Sequence, residues 1–476
     1  MLHSLFHPRS VAVIGASKGV TATGSVKIGH AALKYLLDHG YSGRVYPVNP
    51  KEKEILGLRS YPSLEAVPEV VDLACLVVPA SACVSAMREC VEKGVRAAVV
   101  FSSGFAEAGQ TSLQQRLLET ARGGGLRFVG PNTAGIINVN DRMVASISMS
   151  CEMPAFRPGE IAFITQSGAL GGSMLSRGMD QGVGFSYWVS SGNEADLDTS
   201  DYIEYLLGED TVKAFTLFTE GLRDGAKFKQ ACLKAARCRK PIVMYKTGLS
   251  EVSAAAARSH TGALAGSDQV FDKVARQYGV VRVDDVADLF QTALAFTWLG
   301  GRLPRGRRMG IVTASGGICG VGADECHLAG LEIPELTGDC QAEISRYVPS
   351  FAAIRNPVDV TGQIRSSQTG YQDTVRCVLA QDYIDGLLLL VTMAAEPRAS
   401  FYGQEISRIA RETNKPVIVA WTGAVSLAPQ GFPMLHENKV PHFLSVREAV
   451  KVMRALADYQ AFLDRFEAST TLKVVP

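Results

Sequence analysis

The sequence predicts an α/β protein built as a Rossmann-like domain followed by two flavodoxin-like α/β domains. Short apolar, β-rich runs alternate with longer stretches of helical periodicity, which is the pattern of parallel, doubly wound sheets. Two later segments look like copies of one another, which indicates a duplication. The 46 glycines among 476 residues suit many tight turns between strands and helices.

The first domain is predicted over residues 1–150. Its five candidate strands are 10–16, 44–49, 73–79, 97–102 and 126–130. The segments between them, such as 27–39 and 82–93, have the apolar spacing of amphipathic helices. A stretch with two prolines, 151–159, is predicted to link this domain to the next.

The second and third domains are predicted over residues 159–300 and 307–476. GEIAFITQSG, which starts at Gly159, parallels RRMGIVTASG, which starts at Arg307. Further on, KPIVMYKTG from Lys240 parallels KPVIVAWTG from Lys415. We interpret the two segments as duplicated flavodoxin-like domains.

The two copies differ in one loop. From Gly248 to Val280 is 32 residues, whereas from Gly423 to Val440 is 17, so the first copy carries about 15 extra residues. The longer loop contains ARSHTGALAGSD, with a histidine at position 260. Because the sibling closes the same turn without these residues, the fold does not need them, and the loop is a candidate for function.

His260 is the first candidate catalytic residue. A neutral imidazole nitrogen is a competent nucleophile near pH 7. Ser267 or Asp268 would begin the helix that follows, and a helix N-terminus beside a histidine favours phosphate. Ser267 is therefore a predicted phosphate-binding residue, and Gly262 of the same loop is a further candidate. A surface histidine without function stays open as the alternative.

A second anion-binding loop is predicted where TQSGALGGS, starting at Thr165, follows a strand. Small residues allow backbone N–H groups to approach an oxyanion. The loop is not a Walker sequence, because no Gly-Lys-Ser/Thr follows. Its sibling, TASGG from Thr313, indicates that such a turn can also be purely architectural. The predicted phosphate-binding residues here are Gln166, Ser167, Gly168 and Ala169.

Glu220 is the second candidate catalytic residue. It ends the predicted strand 214–219, and the carboxyl ends of strands line the ligand crevice of a doubly wound fold. A carboxylate there could orient an imidazole through its other nitrogen. Aligning Lys213 with Asp385 places Thr392 opposite Glu220, so the third domain lacks both the histidine loop and the carboxylate. A capping or solvated glutamate is the alternative.

The loops after the first-domain strands are predicted to bind a nucleotide-like ligand. VAVIGAS from Val11 is similar to the start of a dinucleotide-binding domain, but the full G-x-G-x-x-G spacing is missing. The second strand also lacks the terminal acid that would bind an NAD ribose. Candidate ligand-binding residues are Gly15, Ala16, Ser17, Val48, Asn49, Pro50, Val78, Pro79, Ser102, Ser103, Gly104, Pro131 and Asn132.

Composition excludes several classes of protein. A net charge of +1 gives no electrostatic reason to expect nucleic acid as a partner. The sequence has no run of about 18 apolar residues, so no membrane span is predicted. The first nine residues lack the apolar region of a secretory signal, so none is expected. The ten cysteines form no CxxC pair, which argues against a zinc site; we expect no metal and interpret them as reduced core thiols.

Together these motifs resemble the α subunits of NDP-forming acyl-CoA synthetases, of the ADP-forming acetate–CoA ligase type, with succinyl-CoA synthetase a more distant relative. The resemblance covers about residues 5–460. RSHTGALAG from Arg258 is its most specific match, and LFHPRSVAVIGAS from Leu5 is similar to the family's CoA-binding start. NPVD from Asn356 matches the third domain, whereas Thr133 departs from a position where many relatives have cysteine.

The resemblance implies a reaction and its partners. CoA thioester and phosphate would give an acyl phosphate and CoA, and His260, supported by Glu220, would carry the phosphoryl group to ADP. The first-domain residues would bind CoA. The chain contains no ATP-grasp segment, so a separate β subunit is expected to bring ADP or ATP and Mg²⁺, in a cytoplasmic hetero-oligomer or homodimer. Which carboxylic acid is activated does not follow from the sequence.

Two other interpretations stay open. The first is a CoA-binding or regulatory protein of the same fold without catalysis, which the pairing of His260 with Glu220 disfavours. The second is an NAD-dependent oxidoreductase, which the ending of the second strand disfavours. Separate titrations with CoA and NAD would discriminate the second interpretation from the ligase.

Overall fold

A computed structural model describes residues 2–20, 26–253, 268–362, 364 and 369–471. The chain divides into two compact units, Met1–Ala293 and Leu294–Pro476. Within the described ranges, no helix combines the length and the apolar character that crossing a membrane requires.

The five predicted strands of the first domain form one parallel sheet. In chain order, the strands and the small hairpin between them are β1 (Ser10–Ile14), β2 (Arg44–Val48), β3 (Glu54–Ile55), β4 (Leu58–Arg59), β5 (Leu73–Leu76), β6 (Ala97–Val100) and β7 (Arg127–Val129). The sheet order is β2-β1-β5-β6-β7, and every pair in it is parallel. The accompanying helices are α1 (His3–Phe6), α2 (Ile28–Asp38), α3 (Ala80–Lys93) and α4 (Thr111–Gly123). All residues of β1, β5 and β6 are buried, as expected for a sheet covered on both faces.

The second sheet has seven strands. They are β8 (Gly135–Asn138), β9 (Met143–Ser146), β10 (Pro158–Thr165), β11 (Phe185–Ser190), β12 (Ala214–Thr219), β13 (Ile242–Lys246) and β14 (Val280–Arg282). Their order is β14-β13-β12-β10-β11-β8-β9, with β8 antiparallel to β11 and to β9. The helices are α5 (Gly168–Asp180), α6 (Thr199–Leu206), α7 (Gly225–Arg237), α8 (Asp268–Gln277) and α9 (Val286–Leu299).

Two strands that the sequence analysis did not predict belong to the second sheet. Both β8 and β9 lie inside the predicted first domain, residues 1–150, yet they pair with the second sheet through β11. They cover the edge that β11 would otherwise expose, and all their residues are buried. The limits 1–150, 159–300 and 307–476 stay a prediction.

The third sheet repeats the strand order of the second. Its strands are β15 (Met309–Thr313), β16 (Val358–Asp359), β17 (Gly386–Val391), β18 (Val417–Trp421) and β19 (His442–Phe443). The order β16-β15-β17-β18-β19 matches β11-β10-β12-β13-β14, which is the flavodoxin-like order. The helices are α10 (Gly316–Leu328), α11 (Gly338–Ile344), α12 (Gly370–Leu379), α13 (Arg398–Glu412), α14 (Gly431–Glu437) and α15 (Val446–Thr471).

Backbone hydrogen bonds support the residue alignment between the two copies. The Lys213 N–H donates to the Glu160 carbonyl at 2.8 Å, and the Asp385 N–H donates to the Arg308 carbonyl at 2.7 Å. These bonds occupy the same place in each sheet, immediately before β12 and β17. The alignment that puts Thr392 opposite the carboxylate after β12 therefore agrees with the fold.

The cysteines are mostly core residues, as expected. Seven of the ten are buried, and none is in a disulfide. Burial raises the pKa of the Cys75 thiol to about 12, so this group stays protonated and unreactive.

A buried carboxylate joins the first two sheets. Asp196, whose side chain is completely buried, accepts hydrogen bonds from Arg122 Nε at 3.0 Å and Arg127 Nε at 2.8 Å. It also accepts from the Phe128 N–H at 3.0 Å. The loop after β11 is thereby fixed to β7 and α4.

Replacing Asp196 with alanine is expected to destabilise the first unit by about 3 kcal/mol, because breaking a buried pair leaves charges and an N–H group uncompensated. Denaturant unfolding followed by circular dichroism would measure the loss. Asp38→Ala is the matched control, since Asp38 is half exposed and pairs with Lys34 on the surface. Equal effects of the two substitutions would contradict the prediction.

Candidate functional site

The predicted ligand-binding residues of the first domain lie at one edge of the first sheet. Residues 15–17, 48–50, 78–79, 102–104 and 131–132 each stand at or just beyond the carboxyl end of one of the five strands. Because the strands are parallel, their carboxyl ends share an edge. The structure therefore places these residues at the same edge of the sheet, and their binding of a ligand stays a prediction.

The first loop of this crevice requires a glycine. Gly15 has φ +93°, and a β-carbon there would lie 2.8 Å from the Val77 carbonyl oxygen. The Gly15 N–H donates to the Val48 carbonyl at 3.0 Å. The Asn49 amide donates to the Ala16 carbonyl at 2.7 Å, so Asn49 fixes the first loop to the second.

The remaining loops are also bonded to one another. Ser102 Oγ donates to the Val78 carbonyl at 2.5 Å, and the Asn132 N–H donates to the Ser102 carbonyl at 2.9 Å. The Gly104 N–H donates to Glu107 Oε1 at 2.5 Å, so this donor already has a protein acceptor. The crevice is thus held in shape by its own loops.

Sequence reasoning missed Asn193, which connects this crevice to the second sheet. Its amide nitrogen donates to Glu107 and, at 3.0 Å, to Gln114 Oε1, and its amide oxygen accepts from Asn132 at 3.2 Å. Burial works to raise the pKa of Glu107, but hydrogen bonds from Asn193 and Gly104 outweigh it and leave the pKa lowered. Its position just after β11 is the sequence signal that could have identified Asn193.

Gln166 has a different role from the predicted one. Its side-chain oxygen accepts from the Glu220 N–H at 2.6 Å and the Gly221 N–H at 3.1 Å, and its amide donates to the Gly221 carbonyl at 2.7 Å. The Gln166 N–H donates to the Phe218 carbonyl at 3.1 Å. The residue therefore fixes the backbone of the turn that carries Glu220, and its bonded groups are not available to phosphate.

The start of α5 retains the geometry of an anion site. Ser167 is the N-cap residue, and its side chain makes no capping hydrogen bond to the helix. The Ser167 N–H donates to Thr165 Oγ1 at 3.2 Å, and Gly168 lies close against Ala134. The N–H groups of the first turn, at Gly168 and Ala169, are thus not capped by Ser167 and suit an oxyanion.

A second residue that the sequence did not indicate is Glu194, which is buried and has φ +51°. Its carboxylate accepts from Thr199 Oγ1 at 2.8 Å. Burial raises the pKa of Glu194, and hydrogen bonds from Thr199, Ser191 and Gln166 offset part of that rise. Glu194 therefore forms a hydrogen bond with Gln166, the residue whose side chain fixes the turn at Glu220.

The histidine loop itself is not described by the structure. The predicted residues outside the described ranges are His260, Gly262 and Ser267. The flanking elements are described: β13 lies beside β12 with Lys246 opposite Thr219, and the Thr247 N–H donates to the Thr219 carbonyl at 3.0 Å. The segment that leads to the loop thus starts beside β12, the strand that Glu220 follows.

Lys246 is a buried cation near this edge, also missed from the sequence. Its Nζ donates to the Thr247 carbonyl at 2.7 Å and lies 5.3 Å from the ring centre of Phe271 on α8. Burial lowers the pKa of Lys246, and the nearby Asp268 carboxylate partly opposes this effect. The start of α8, where the loop ends, is therefore packed against β13.

Family models match three segments of the chain. A CoA-binding domain matches residues 9–139, a succinyl-CoA ligase-like flavodoxin domain matches 158–296, and a ligase-CoA domain matches 309–461. These segments correspond in order to the three sheets.

The chain also resembles whole proteins over nearly its full length. The α subunit of ADP-forming acetate–CoA ligase I of Pyrococcus furiosus is 35% identical, and the alignment covers 96% of this chain and 97% of that protein. The α subunit of ligase II from the same organism is 34% identical over 93% and 94%. Dinucleotide-forming acetyl-coenzyme A synthetase 1 of Ca. Korarchaeum cryptofilum, in complex with phosphate and ADP, superimposes with a TM-score of 0.88 at 31% identity, covering 98% and 99%. The chain belongs to the family of ADP-forming acetate–CoA ligase α subunits, which are acid–thiol ligases.

Proposed function

We propose that this chain is the catalytic α subunit that interconverts acyl-CoA, ADP and phosphate with a carboxylic acid, CoA and ATP. One observation carries the proposal most directly. The Glu220 turn, the start of α5 and the segment leading to the histidine loop meet at the carboxyl edge of β10, β12 and β13. This arrangement suits a phosphoryl group attached to a histidine of that loop.

The proposed reaction has three reversible steps. A phosphate oxygen attacks the thioester carbonyl, the carbon–sulfur bond breaks, and CoA leaves with its thiol protonated. A nitrogen of His260 then attacks phosphorus, and the acyl carboxylate leaves. Finally the phosphoryl group passes from nitrogen to an oxygen of ADP. Each step depends mainly on positioning and charge stabilisation.

Glu220 would hold the imidazole by its other N–H group. The Glu220 and Gly221 N–H groups donate to the Gln166 side-chain oxygen, so the carboxylate extends from a fixed turn. The uncapped N–H groups of α5 would donate hydrogen bonds to the phosphoryl oxygens, with Gly262 and Ser267 of the histidine loop as further donors. Of the predicted phosphate-binding residues, Ser167, Gly168 and Ala169 keep this role and Gln166 becomes a positioning residue.

CoA would bind at the carboxyl edge of the first sheet. The loops there hold one another through Gly15, Asn49, Ser102 and Asn132, so the crevice is formed without a ligand. Because Asn193 bonds both to the Asn132 side chain and to Glu107, the CoA crevice is coupled to the second sheet. A thioester bound there can thus be positioned relative to the phosphate site.

The nucleotide and Mg²⁺ are assigned to a separate ATP-grasp β subunit, in a cytoplasmic hetero-oligomer. Within the described ranges, no group of three or more His, Cys, Asp or Glu side chains is arranged to hold a metal ion. Co-purification of a tagged chain from its own cells would identify the β subunit, and complete ATP formation by the purified chain alone would contradict this assignment.

Labelled phosphate tests the proposed activity. The purified chain is incubated with acyl-CoA and labelled phosphate, or with acyl phosphate, over a panel of acids. We expect an acid-labile, alkali-stable label that maps to His260. Absence of label from every acid, with the β subunit present and CoA bound, would instead favour the non-catalytic CoA-binding protein.

A further inference from the structure

The junction between the first two sheets is built from two loops that are bonded to each other. One loop, residues 130–134, follows β7, and the other, residues 191–194, follows β11. The Asn193 N–H donates to the Pro131 carbonyl at 2.9 Å. A β-carbon at Gly192 would lie 2.4 Å from the Pro131 carbonyl oxygen, so the two backbones are in direct contact.

Two residues of this junction have a backbone conformation that is uncommon for a residue other than glycine. Asn132 has φ +58° and Glu194 has φ +51°, in the left-handed region. Such conformations persist where the surrounding contacts determine them, and they are concentrated at functional sites. The junction is therefore a candidate for a function of its own.

Asn193 holds the junction with both ends of its side-chain amide. The residue is 3% exposed, and its amide nitrogen donates to Glu107 Oε2 and, at 3.0 Å, to Gln114 Oε1. Its amide oxygen accepts from Asn132 Nδ2 at 3.2 Å. A buried polar side chain with partners at both ends fixes one geometry, because any other would leave a buried group without a hydrogen bond.

Glu107 extends this network to the predicted CoA-binding loops. Its second carboxylate oxygen accepts from the Gly104 N–H at 2.5 Å and from the Phe105 N–H at 3.1 Å. The Asn193 side chain is thus one residue away from the loop after β6, through Glu107, and from the loop after β7, through Asn132. Both loops lie at the carboxyl edge of the first sheet.

The same junction contacts the start of α5, where phosphate is proposed to bind. A β-carbon at Gly168, the first residue of α5, would lie 3.0 Å from the Ala134 β-carbon and 3.6 Å from Ser190 Oγ. Ser190 Oγ accepts from the Ala134 N–H at 3.1 Å. On the other side, Arg223 Nη2 donates to the Asn193 carbonyl at 2.5 Å. The junction therefore lies between the CoA crevice and the proposed phosphate site and contacts both.

We infer that Asn193 is a positioning residue for the step in which phosphate attacks the thioester. Its hydrogen bonds fix the loop after β7, so that a thioester carbonyl at the first sheet meets a phosphate at the start of α5. In this step an oxygen of hydrogen phosphate bonds to the carbonyl carbon, the carbon–sulfur bond breaks, and the phosphate proton leaves with CoA as its thiol. Transfer from acyl phosphate to His260 involves no thioester and should not need Asn193. The inference rests on the proposed function.

An exchange of hydrogen-bonding groups between two side chains tests this role. Asn193→Asp keeps the shape of the side chain but turns a carboxylate towards Glu107 and Gln114, so the bond to Glu107 is lost. Adding Glu107→Gln supplies an amide that can donate to the new carboxylate, while its oxygen keeps the bond from the Gly104 N–H. Gln114 can turn its own amide to donate as well. The double variant thus restores the junction with the groups exchanged.

The two half-reactions are measured separately on the full chain, with the β subunit supplied. The thioester step is followed in reverse, as acetyl-CoA formed from acetyl phosphate and CoA, and the other step as phosphoenzyme formed from labelled acetyl phosphate. We expect Asn193→Asp to slow thioester formation about 10- to 100-fold, since a misplacement of about 1 Å has an effect of this size. Phosphoenzyme formation and CoA affinity, measured by calorimetry, should stay within about twofold of the native values.

The double variant and one control complete the experiment. Asn193→Asp combined with Glu107→Gln should recover most of the lost rate of thioester formation. Asn140→Asp is the matched control, because it makes the same change of charge at an exposed turn between β8 and β9, and it should behave as the native chain in every measurement.

Three results would overturn the inference. They are native thioester formation by Asn193→Asp, an equal loss in both half-reactions, which would indicate a general structural role, and a loss that the double variant does not recover. In each of these the native chain is active, so the proposed function stands. A native chain inactive in both half-reactions contradicts the proposed function and this inference with it.

Discussion

Replacing His260 with asparagine is expected to reduce phosphoenzyme formation at least about a thousandfold, since no other group would replace the nucleophilic nitrogen. The overall synthesis of acyl-CoA from acid, CoA and ATP should fall equally. The measurement is the yield of labelled, acid-labile phosphate on the full chain, with the β subunit supplied.

CoA affinity should be unchanged in the His260→Asn variant, because the predicted CoA residues lie on the loops of the first sheet. His327→Asn is the matched control, since His327 is exposed on α10 of the third domain. A normal phosphoenzyme yield in the His260→Asn variant would contradict the proposed role of His260 as the nucleophile. A simultaneous loss of CoA binding would indicate a structural defect instead.

Glu220→Gln is expected to lower phosphoenzyme formation about 10- to 100-fold, the usual cost of losing a group that orients a reactive one. The backbone bonds to Gln166 use the main chain at Glu220 and Gly221, so the substitution should leave the turn in place. The substitution therefore removes the negative charge that would orient the imidazole and stabilise its cationic form. The measurement is the rate of label incorporation from acyl phosphate.

A matched carboxylate distinguishes this effect from a general change of charge. Glu204 lies on α6 and pairs with Lys234 at 2.9 Å on the surface. Glu204→Gln should incorporate label at the native rate. If Glu220→Gln also does so, the carboxylate has no orienting role.

Local patterns predicted the parallel sheets because each buried strand is a short apolar run with its own turn residues. The duplication was also visible, since both copies keep equivalent strand ends. Strands β8 and β9 were not assigned to their sheet, because their pairing depends on β11, about 50 residues further along the chain. The local sequence of an antiparallel strand does not indicate which sheet the strand joins.

The candidate site was predicted in part for a similar reason. Glu220 stood out because it ends a strand, and His260 because the sibling lacks its loop. The roles of Gln166 and Glu194 depend on partners brought together by folding: the Gln166 side chain meets a turn 54 residues away. Residue type and spacing indicated a polar loop there, but they could not distinguish a side chain that binds phosphate from one that holds the backbone.

The pairing of β8 and β9 with β11 also constrains the order in which the chain can fold during synthesis. The five strands of the first sheet are complete when Val129 has been made, but β8 and β9 then have no sheet to join until Phe185–Ser190 follows. During that interval the nascent chain carries an apolar β8–β9 hairpin whose edge is unpaired. Such an edge can pair with the wrong strand or be bound by chaperones. For the same reason, a cut near residue 150 would remove two strands from the second sheet, so gene fusions and fragments should keep β8 to β14 together.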